Sequence, residues 1–169
     1  MEKSFKVIKG DITQQKTDAV VNAANKTLLG GGGVDGAIHK AAGPMLLAKC
    51  VTLGGCKTGE AKITPGYNLP AEYVIHTVGP VWRGGDYNEH QLLADCYKNS
   101  LRLAEEYRLS SVSFPSISTG AYRFPLPEAA KIAVREIGKF LQTSKNVKEI
   151  YMVAFSDSAY LTYKHAPKE

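Results

Sequence analysis

The pattern of apolar and polar residues along the chain is of two kinds. Short apolar runs rich in β-branched residues, most of them closed by glycine, proline or asparagine, predict strands. The six predicted strands are Phe5–Lys9, Ala19–Asn22, Ala61–Thr64, Tyr73–Val78, Ser111–Phe114 and Glu149–Ala154. Between them, apolar residues recur at steps of three and four, as on one face of a helix. These stretches predict helices over 35–42, 44–53, 89–107 and 127–141, and a short last helix capped within Ser156–Ser158.

Strands that alternate with helices indicate an α/β layered fold with a largely parallel sheet. The 169 residues suit a single domain over 1–169. In sheets of this kind ligands bind beyond the carboxyl ends of the strands. The site is therefore expected where Gly10–Ile12, the segment after Asn22, the loop after Phe114 and Phe155–Asp157 come together.

Composition narrows the class of protein. The chain is 44% hydrophobic and 22% charged, has no apolar leader, and has no apolar run near the ~20 residues of a membrane span, so we expect a cytoplasmic protein without membrane contact. The net charge of +5 favours anionic partners such as nucleotides, phosphates or RNA. The basic residues are scattered, however, and an ordinary solvated surface is the favoured interpretation. Three cysteines without CxxC spacing and four scattered histidines predict packed, reduced thiols and neither metal nor cofactor.

Four consecutive glycines, residues 30–33, precede a predicted helix. Glycine is costly to order, which indicates that the bare backbone itself is used. The literal GxGxxG match of Gly31–Gly36 is not a dinucleotide fingerprint, because it does not follow a strand directly and Val51 stands where an acid is required. Peptide N–H groups at a helix start bind anions, so this loop is predicted to cradle a diphosphate or a ribose. The alternative is a flexible surface loop.

A second candidate anion site is Ser116–Tyr122, which follows Pro115 after a predicted strand. Gly120 and Ala121 permit close approach of a ligand, the hydroxyl groups of Ser118 and Thr119 are candidate donors, and the closing tyrosine is a candidate to lie against a sugar. A plain hydroxyl-rich turn is the alternative. Two such loops on one edge of the sheet predict the two sides of a phosphate clamp.

Three polar side chains are candidates for recognition and catalysis. Asp11 could accept a hydrogen bond from the exocyclic amine of adenine, although capping of the next turn is favoured when the residue is taken alone. The carboxamide of Asn25 can orient a sugar hydroxyl, and Asp35 can hold or activate a water molecule. His39 lies one helical turn after Asp35, and the two could form an acid–base pair; a packing histidine is the favoured alternative.

Taken together, these motifs resemble the macrodomain family, in particular its MacroD-type branch and the bacterial O-acetyl-ADP-ribose deacetylases. The matching segments are Gly10–Thr13, Val21–Asn25, Leu29–Gly43, His76–Trp82 and Pro115–Pro125, and the similarity extends from about Phe5 to Tyr160. The resemblance implies a three-layer α/β/α sandwich with a mixed, mostly parallel six-stranded sheet that binds ADP-ribose.

The resemblance also implies a role for each matching residue. The residues implied to hold ADP-ribose are Asp11, Ile12, Asn25, Gly31, Gly32, Gly33, Val34, Asp35, Ser118, Thr119, Gly120, Ala121, Tyr122 and Phe155. Among them, Asp11 and the Ile12 backbone would meet adenine, on which Phe155 would stack. Asn25 would contact the distal ribose, and both loops would surround the diphosphate. One departure concerns the backbone: Arg123 follows Tyr122 where the family often has a second glycine.

The implied chemistry is hydrolysis of O-acetyl-ADP-ribose and of mono-ADP-ribosyl esters on acidic side chains of proteins, without cofactor or metal. Asp35 and Asn25 would be the catalytic residues, with either Asp35 or a phosphate of the substrate as the general base. Two other functions are kept open. One is a non-catalytic reader of ADP-ribose, and the other is a regulator that binds RNA or a ribonuclease.

Overall fold

In the computed structural model, which describes residues 2–167, the chain forms six strands and five α-helices. The strands are β1 (Ser4–Lys9), β2 (Ala19–Ala23), β3 (Ala61–Pro65), β4 (Tyr73–Thr77), β5 (Ser111–Phe114) and β6 (Glu149–Ala154). The helices are α1 (Gly33–Ala42), α2 (Pro44–Leu53), α3 (Glu89–Glu106), α4 (Leu126–Thr143) and α5 (Asp157–Lys164), and a 3-10 turn spans Ile12–Gln14. None of the described helices has the length and hydrophobicity that crossing a membrane requires.

The strands form one sheet in the order β1-β6-β5-β2-β4-β3. The first five neighbours run parallel, and β3 pairs antiparallel to β4 at the edge. This exception follows from the connection: β3 reaches β4 through the short turn 66–72 without a crossover helix, and only antiparallel neighbours can be joined in that way. The predicted mixed, mostly parallel six-stranded sheet is confirmed.

Two helical layers cover the sheet. Helices α1 and α2 pack with Val20 and Val74 on one face, and α3, α4 and α5 pack with Ala19 and Val21 on the other. Successive residues of β2 thus point to opposite cores, as the pleat of a strand requires. Burial on both faces explains why the central strands are continuous apolar runs rather than alternating ones.

The predicted boundaries agree with the structure to within one or two residues. The largest difference at the site is the start of α1, which begins at Gly33 rather than at Asp35 because Gly36 N already donates to Gly32 O over 3.2 Å. Glycine has low helix propensity, which concealed this first turn in the sequence. The predicted cap of α5 is present, since Ser156 Oγ accepts a hydrogen bond of 3.1 Å from Ala159 N.

All three thiols are reduced and buried, as predicted. Burial raises the pKa of Cys50 to about 11 and that of Cys96 to about 12, and the pKa of Cys56 also rises because of its burial. The three cysteines are therefore packing residues that stay protonated at neutral pH.

Candidate functional site

The carboxyl ends of the five parallel strands meet at one edge of the sheet. Asp11 follows β1, Phe155 follows β6, the loop 116–123 follows β5, and Asn25 follows β2. Neighbouring strands lie about 4.8 Å apart, so the ends of β1 and β2, three spacings apart, are separated by about 14 Å. The predicted site residues therefore form a row along this edge, and only an elongated ligand can reach both ends of the row.

The outer end of the row carries Asp11 and Phe155. Strands β1 and β6 end in register at Lys9 and Ala154, so the two residues leave the sheet side by side. The Phe155 side chain is 86% exposed, which leaves its ring available to stack on a planar base. Asp11 Oδ1 accepts hydrogen bonds from N (2.9 Å) and Oγ1 (2.7 Å) of Thr13. The favoured capping role is present, and it holds the carboxylate at the surface.

The four glycines of the loop after β2 differ in their structural roles. Gly30 and Gly33 have φ of +92° and +57°, in the left-handed region that side chains disfavour. Gly32 has an ordinary φ, and no described atom lies within 4 Å of where its Cβ would be. Two glycines thus serve the backbone conformation, whereas Gly32 borders open space at the start of α1.

Gly31 lies between the two predicted catalytic side chains. A Cβ at this position would lie 3.3 Å from Asp35 Oδ2 and 3.4 Å from Asn25 Nδ2. Without a side chain at Gly31, the space next to both groups stays open. Gly36 also allows close packing, because a Cβ at this position would overlap the carbonyl oxygen of Gly31, which packs on the first turn of α1.

The carboxamide of Asn25 holds the glycine loop in place. Its Nδ2 donates to Gly30 O (2.8 Å), and its Oδ1 accepts from Thr27 Oγ1 (2.7 Å) and Leu28 N (3.1 Å). These bonds fix the turn from residue 25 to residue 30, which does not support the alternative of a flexible loop. A carboxamide has two N–H donors, and the second one of Asn25 makes no hydrogen bond to a described residue.

Asp35 is a buried carboxylate in the first turn of α1, where the helix dipole favours negative charge. Asn22 Nδ2 donates to its Oδ1 over 2.9 Å, and its Oδ2 faces Gly31. His39 lies on the same helical face, with Nε2 3.4 Å from Asp35 Oδ1 but without a hydrogen bond to it. The His39 ring also packs against Gly30, so it has the packing contact of the favoured interpretation as well.

The sequence patterns did not indicate the row of polar residues that lies beneath Asp35. Asn22 of β2 and His76 of β4 are neighbours in the sheet register and are fully buried. Asn22 Nδ2 lies 3.2 Å from His76 Nδ1, and His76 Nε2 lies 3.0 Å from Thr64 Oγ1. The available signal was one polar residue inside each of two buried apolar strands, since such residues need hydrogen-bond partners.

The hydroxyl groups predicted as donors in the loop after β5 are buried or engaged within the loop. Ser118 is buried, and its Oγ makes no hydrogen bond within residues 2–167. It fills the space next to Gly79, where a Cβ would overlap it. Thr119 Oγ1 lies 2.5 Å from Ser116 Oγ and 3.2 Å from Ser116 O, so this candidate donor is engaged inside the loop.

Arg123 adopts a left-handed backbone conformation at the position where the resemblance led us to expect glycine. Its φ is +63°, so an exposed arginine occupies a left-handed conformation at a cost of roughly 1 kcal/mol. Arg123 N donates to Gly120 O (3.0 Å), and Tyr122 O accepts from Trp82 N (2.8 Å). These bonds close the loop and tie it to the segment after β4. Gly120 and Ala121, both exposed, form its tip.

Comparison with known proteins places the chain among well-defined relatives. A family model described as Macro domain matches residues 21–133. A macro domain-containing protein of Methanosarcina mazei is 56% identical over 162 residues, which are 96% of this chain and 87% of that protein. One of Lactiplantibacillus plantarum is 59% identical over 163 residues, 96% of this chain and 95% of that protein.

Solved structures of macrodomains share the fold. A mutant of the Oceanobacillus iheyensis macrodomain with ADPR has a TM-score of 0.90 and 47% identity, covering 94% of this chain and 88% of that one. The Oceanobacillus iheyensis macrodomain with ADP gives 0.88 and 48%, covering 94% and 86%. The Trypanosoma brucei macrodomain in complex with ADP-ribose gives 0.88 and 46%, covering 94% of this chain and 66% of that one.

Proposed function

This chain belongs to the macro domain family, and from that premise we propose that it binds ADP-ribose along its sheet edge and hydrolyses ADP-ribosyl esters. The substrates proposed are O-acetyl-ADP-ribose, which would lose its acetyl group, and proteins that carry mono-ADP-ribose on acidic side chains. This activity is the one that the resemblance to the MacroD-type branch implied.

Binding is supported by the order of the groups along the edge. Phe155 offers a stacking surface for adenine, and Asp11 beside it offers an acceptor to the exocyclic amine. The backbone N–H groups of the glycine loop and of the loop after β5 would then receive the diphosphate. The distance of about 14 Å between the carboxyl ends of β1 and β2 suits a ligand with a base at one end and a ribose at the other.

One observation carries the hydrolase proposal: the buried carboxylate of Asp35 has one oxygen anchored by Asn22, while the other faces Gly31. A carboxylate held in this way can orient a water molecule next to a ribose ester and share its proton. The water oxygen bonds to the acyl carbon, the bond from that carbon to the ribose oxygen breaks, and the ribose oxygen leaves with a proton. A substrate phosphate is the other candidate for the base.

The proposal is tested by measuring turnover of O-acetyl-ADP-ribose and of a glutamate-linked mono-ADP-ribosylated protein, with ADP-ribose binding by calorimetry. The variant is Asp35→Ala, and Asp95→Ala on α3, on the opposite face of the sheet, is the matched control. We expect Asp35→Ala to lose roughly 100-fold or more in kcat, as for loss of a general base, and to keep most of its affinity. Equal turnover of Asp35→Ala and wild type would contradict the proposal.

A non-catalytic reader of ADP-ribose is the second candidate. The observation that favours it is Asn25, whose carboxamide oxygen and one N–H group hold the shape of the loop, a role that would serve binding equally well. Calorimetric binding of ADP-ribose by a wild type that hydrolyses neither substrate would establish the reader. The predicted contact with RNA or a ribonuclease stays a prediction, and a steep fall of RNA affinity with added salt would support it.

A further inference from the structure

The polar residues beneath Asp35 form a row that runs across the sheet from the edge strand β3, through β4, to β2 next to the candidate site. Thr64 of β3, His76 of β4 and Asn22 of β2 lie on the face that α1 and α2 cover. Asn22 alone among them reaches Asp35, with Nδ2 2.9 Å from Oδ1. The row therefore connects the antiparallel edge strand with the carboxylate to which the proposed function assigns the water.

The orientation of the Asn22 amide follows from its two neighbours. An ionised carboxylate only accepts hydrogen bonds, so the NH₂ group of Asn22 must face Asp35. The second hydrogen of the same NH₂ group then points to His76 Nδ1, 3.2 Å away. The carbonyl oxygen Oδ1 is buried and receives no hydrogen bond from a described residue. An unpaired buried oxygen costs stability, so stability alone does not explain an asparagine here.

His76 fixes the direction of the row. Burial, followed by the nearby charge of His39, lowers the pKa of His76 to about 3, so the ring is neutral and carries a single proton at physiological pH. Because Nδ1 accepts from Asn22, that proton is on Nε2, where it is donated to Thr64 Oγ1. Thr64 Oγ1 donates in turn to Pro65 O over 3.1 Å. Cys50 Sγ packs 3.9 Å from the same Nε2.

We propose that Asn22, held by His76, is a positioning residue for Asp35. It pins Oδ1 of the carboxylate and thereby leaves Oδ2 facing Gly31, where the water and the ribose ester would meet. Because Asn22 is fully buried, it would touch neither substrate nor water, and we expect its removal to affect the chemical step and not the binding of ADP-ribose. The inference rests on the proposed hydrolase function.

A matched pair of His76 variants separates positioning from structural support. His76→Asn places an amide oxygen near the position of Nδ1 and keeps the acceptor for Asn22. His76→Gln places its amide near the position of Nε2 and removes that acceptor. We expect His76→Asn to retain kcat within about threefold and His76→Gln to lose about tenfold, with ADP-ribose Kd within about threefold of wild type for both. Asn22→Ala should match His76→Gln or exceed its loss.

Two measurements keep the test decisive where the His76 variants do not fold. Thr64→Val is nearly isosteric and removes the acceptor of Nε2–H, and we expect it to lower kcat about threefold without changing Kd. The ¹⁵N spectrum of wild-type His76 should show protonation on Nε2 alone from pH 8 to pH 5. An Nδ1–H tautomer, a ring that titrates near pH 6, or equal kcat in all four variants and wild type would overturn the inference.

The outcome for the wild type distinguishes the two proposals. A wild type that binds ADP-ribose and hydrolyses neither substrate overturns the proposed function, and this inference with it. An active wild type whose His76→Asn and His76→Gln variants lose the same kcat, or lose kcat and affinity in parallel with thermal stability, overturns the inference alone.

Discussion

The loop after β2 and the loop after β5 face the same edge of the sheet but obtain their left-handed backbone differently. The first places glycine at two of its three positive-φ positions, Gly30 and Gly33, and the buried Leu28 (φ +63°) at the third. The second places Ser118 and Arg123 in that region, although it contains a glycine at position 120. Glycine adopts this conformation freely, whereas other residues require roughly 1 kcal/mol each from their surroundings. The first loop thus obtains most of its left-handed backbone from its own glycines, whereas the second depends on its surroundings for both positions.

The first loop is broken most strongly by Gly36→Ala. The new Cβ would overlap the carbonyl oxygen of Gly31, which is backbone and cannot rotate away. We expect the free energy of unfolding to fall by about 2–3 kcal/mol in urea titrations, and ADP-ribose affinity to fall at least tenfold. Gly32→Ala is the control, because open space surrounds its Cβ, and it should change stability by less than about 1 kcal/mol. Equal stability losses in the two variants would contradict this account.

The second loop is broken through its neighbour Gly79. Gly79→Ala would drive a methyl group into the Ser118 hydroxyl and the Ile117 side chain, and we expect a loss of about 1–3 kcal/mol. Combining it with Ser118→Ala removes one of the two overlaps, so a double-mutant cycle should recover about 1 kcal/mol of the loss. Strict additivity of the two changes would show that the loop moves freely away from Gly79.

The conformational cost of Arg123 can be removed by a substitution that leaves the first loop unchanged. Arg123→Gly should raise the free energy of unfolding by up to about 1 kcal/mol, because glycine adopts the left-handed φ without strain. The greater backbone entropy of glycine in the unfolded chain offsets part of this gain. Arg123→Ala keeps the strained φ and should show no such gain. A gain of the same size for Arg123→Ala would assign the effect to charge instead of to the backbone.

The smallest expected effect is a pH dependence in the segment that supports the second loop. Burial alone would raise the pKa of Glu89, but the backbone N–H groups of Arg83, Gly85 and Tyr87 outweigh it and lower that pKa to about 2. Because the folded-state pKa is below the ordinary 4.5, the stabilisation is present above pH 4.5 and is lost as the pH falls towards 2. Trp82 N, next to this segment, donates a hydrogen bond to Tyr122 O of the second loop.

We expect the thermal unfolding temperature of wild type to fall over pH 4.5 to 2 more steeply than that of Glu89→Gln. The glutamine variant should be less stable than wild type at pH 7, since a neutral amide accepts these bonds more weakly. Parallel pH profiles of the two proteins would rule out this role for Glu89.

The elements and the edge could be predicted because their signals are local. Periodicity located all six strands and the helices, and the segment Ser156–Ser158 indicated the cap of α5, which the structure assigns to Ser156. That Phe155 and Asp11 lie at the carboxyl edge of the sheet followed from the rule for parallel strands, whereas their place side by side depends on the pairing of β1 with β6. The resemblance to the family implied a mixed sheet, but neither it nor the apolar pattern of Ala61–Thr64 stated which strand runs antiparallel, and the structure shows that this strand is β3.

What the chain by itself determined is therefore the order of the elements, the layered fold and the row of polar and glycine residues beyond the strands, since each depends on neighbours in sequence. Tertiary structure decided which of these residues meet. Only the packing of α1 on β2 brings Asp35 to Asn22, and only the register of β2 with β4 brings Asn22 to His76, 54 residues away. Contacts over that distance depend on the whole sheet, which no local pattern encodes.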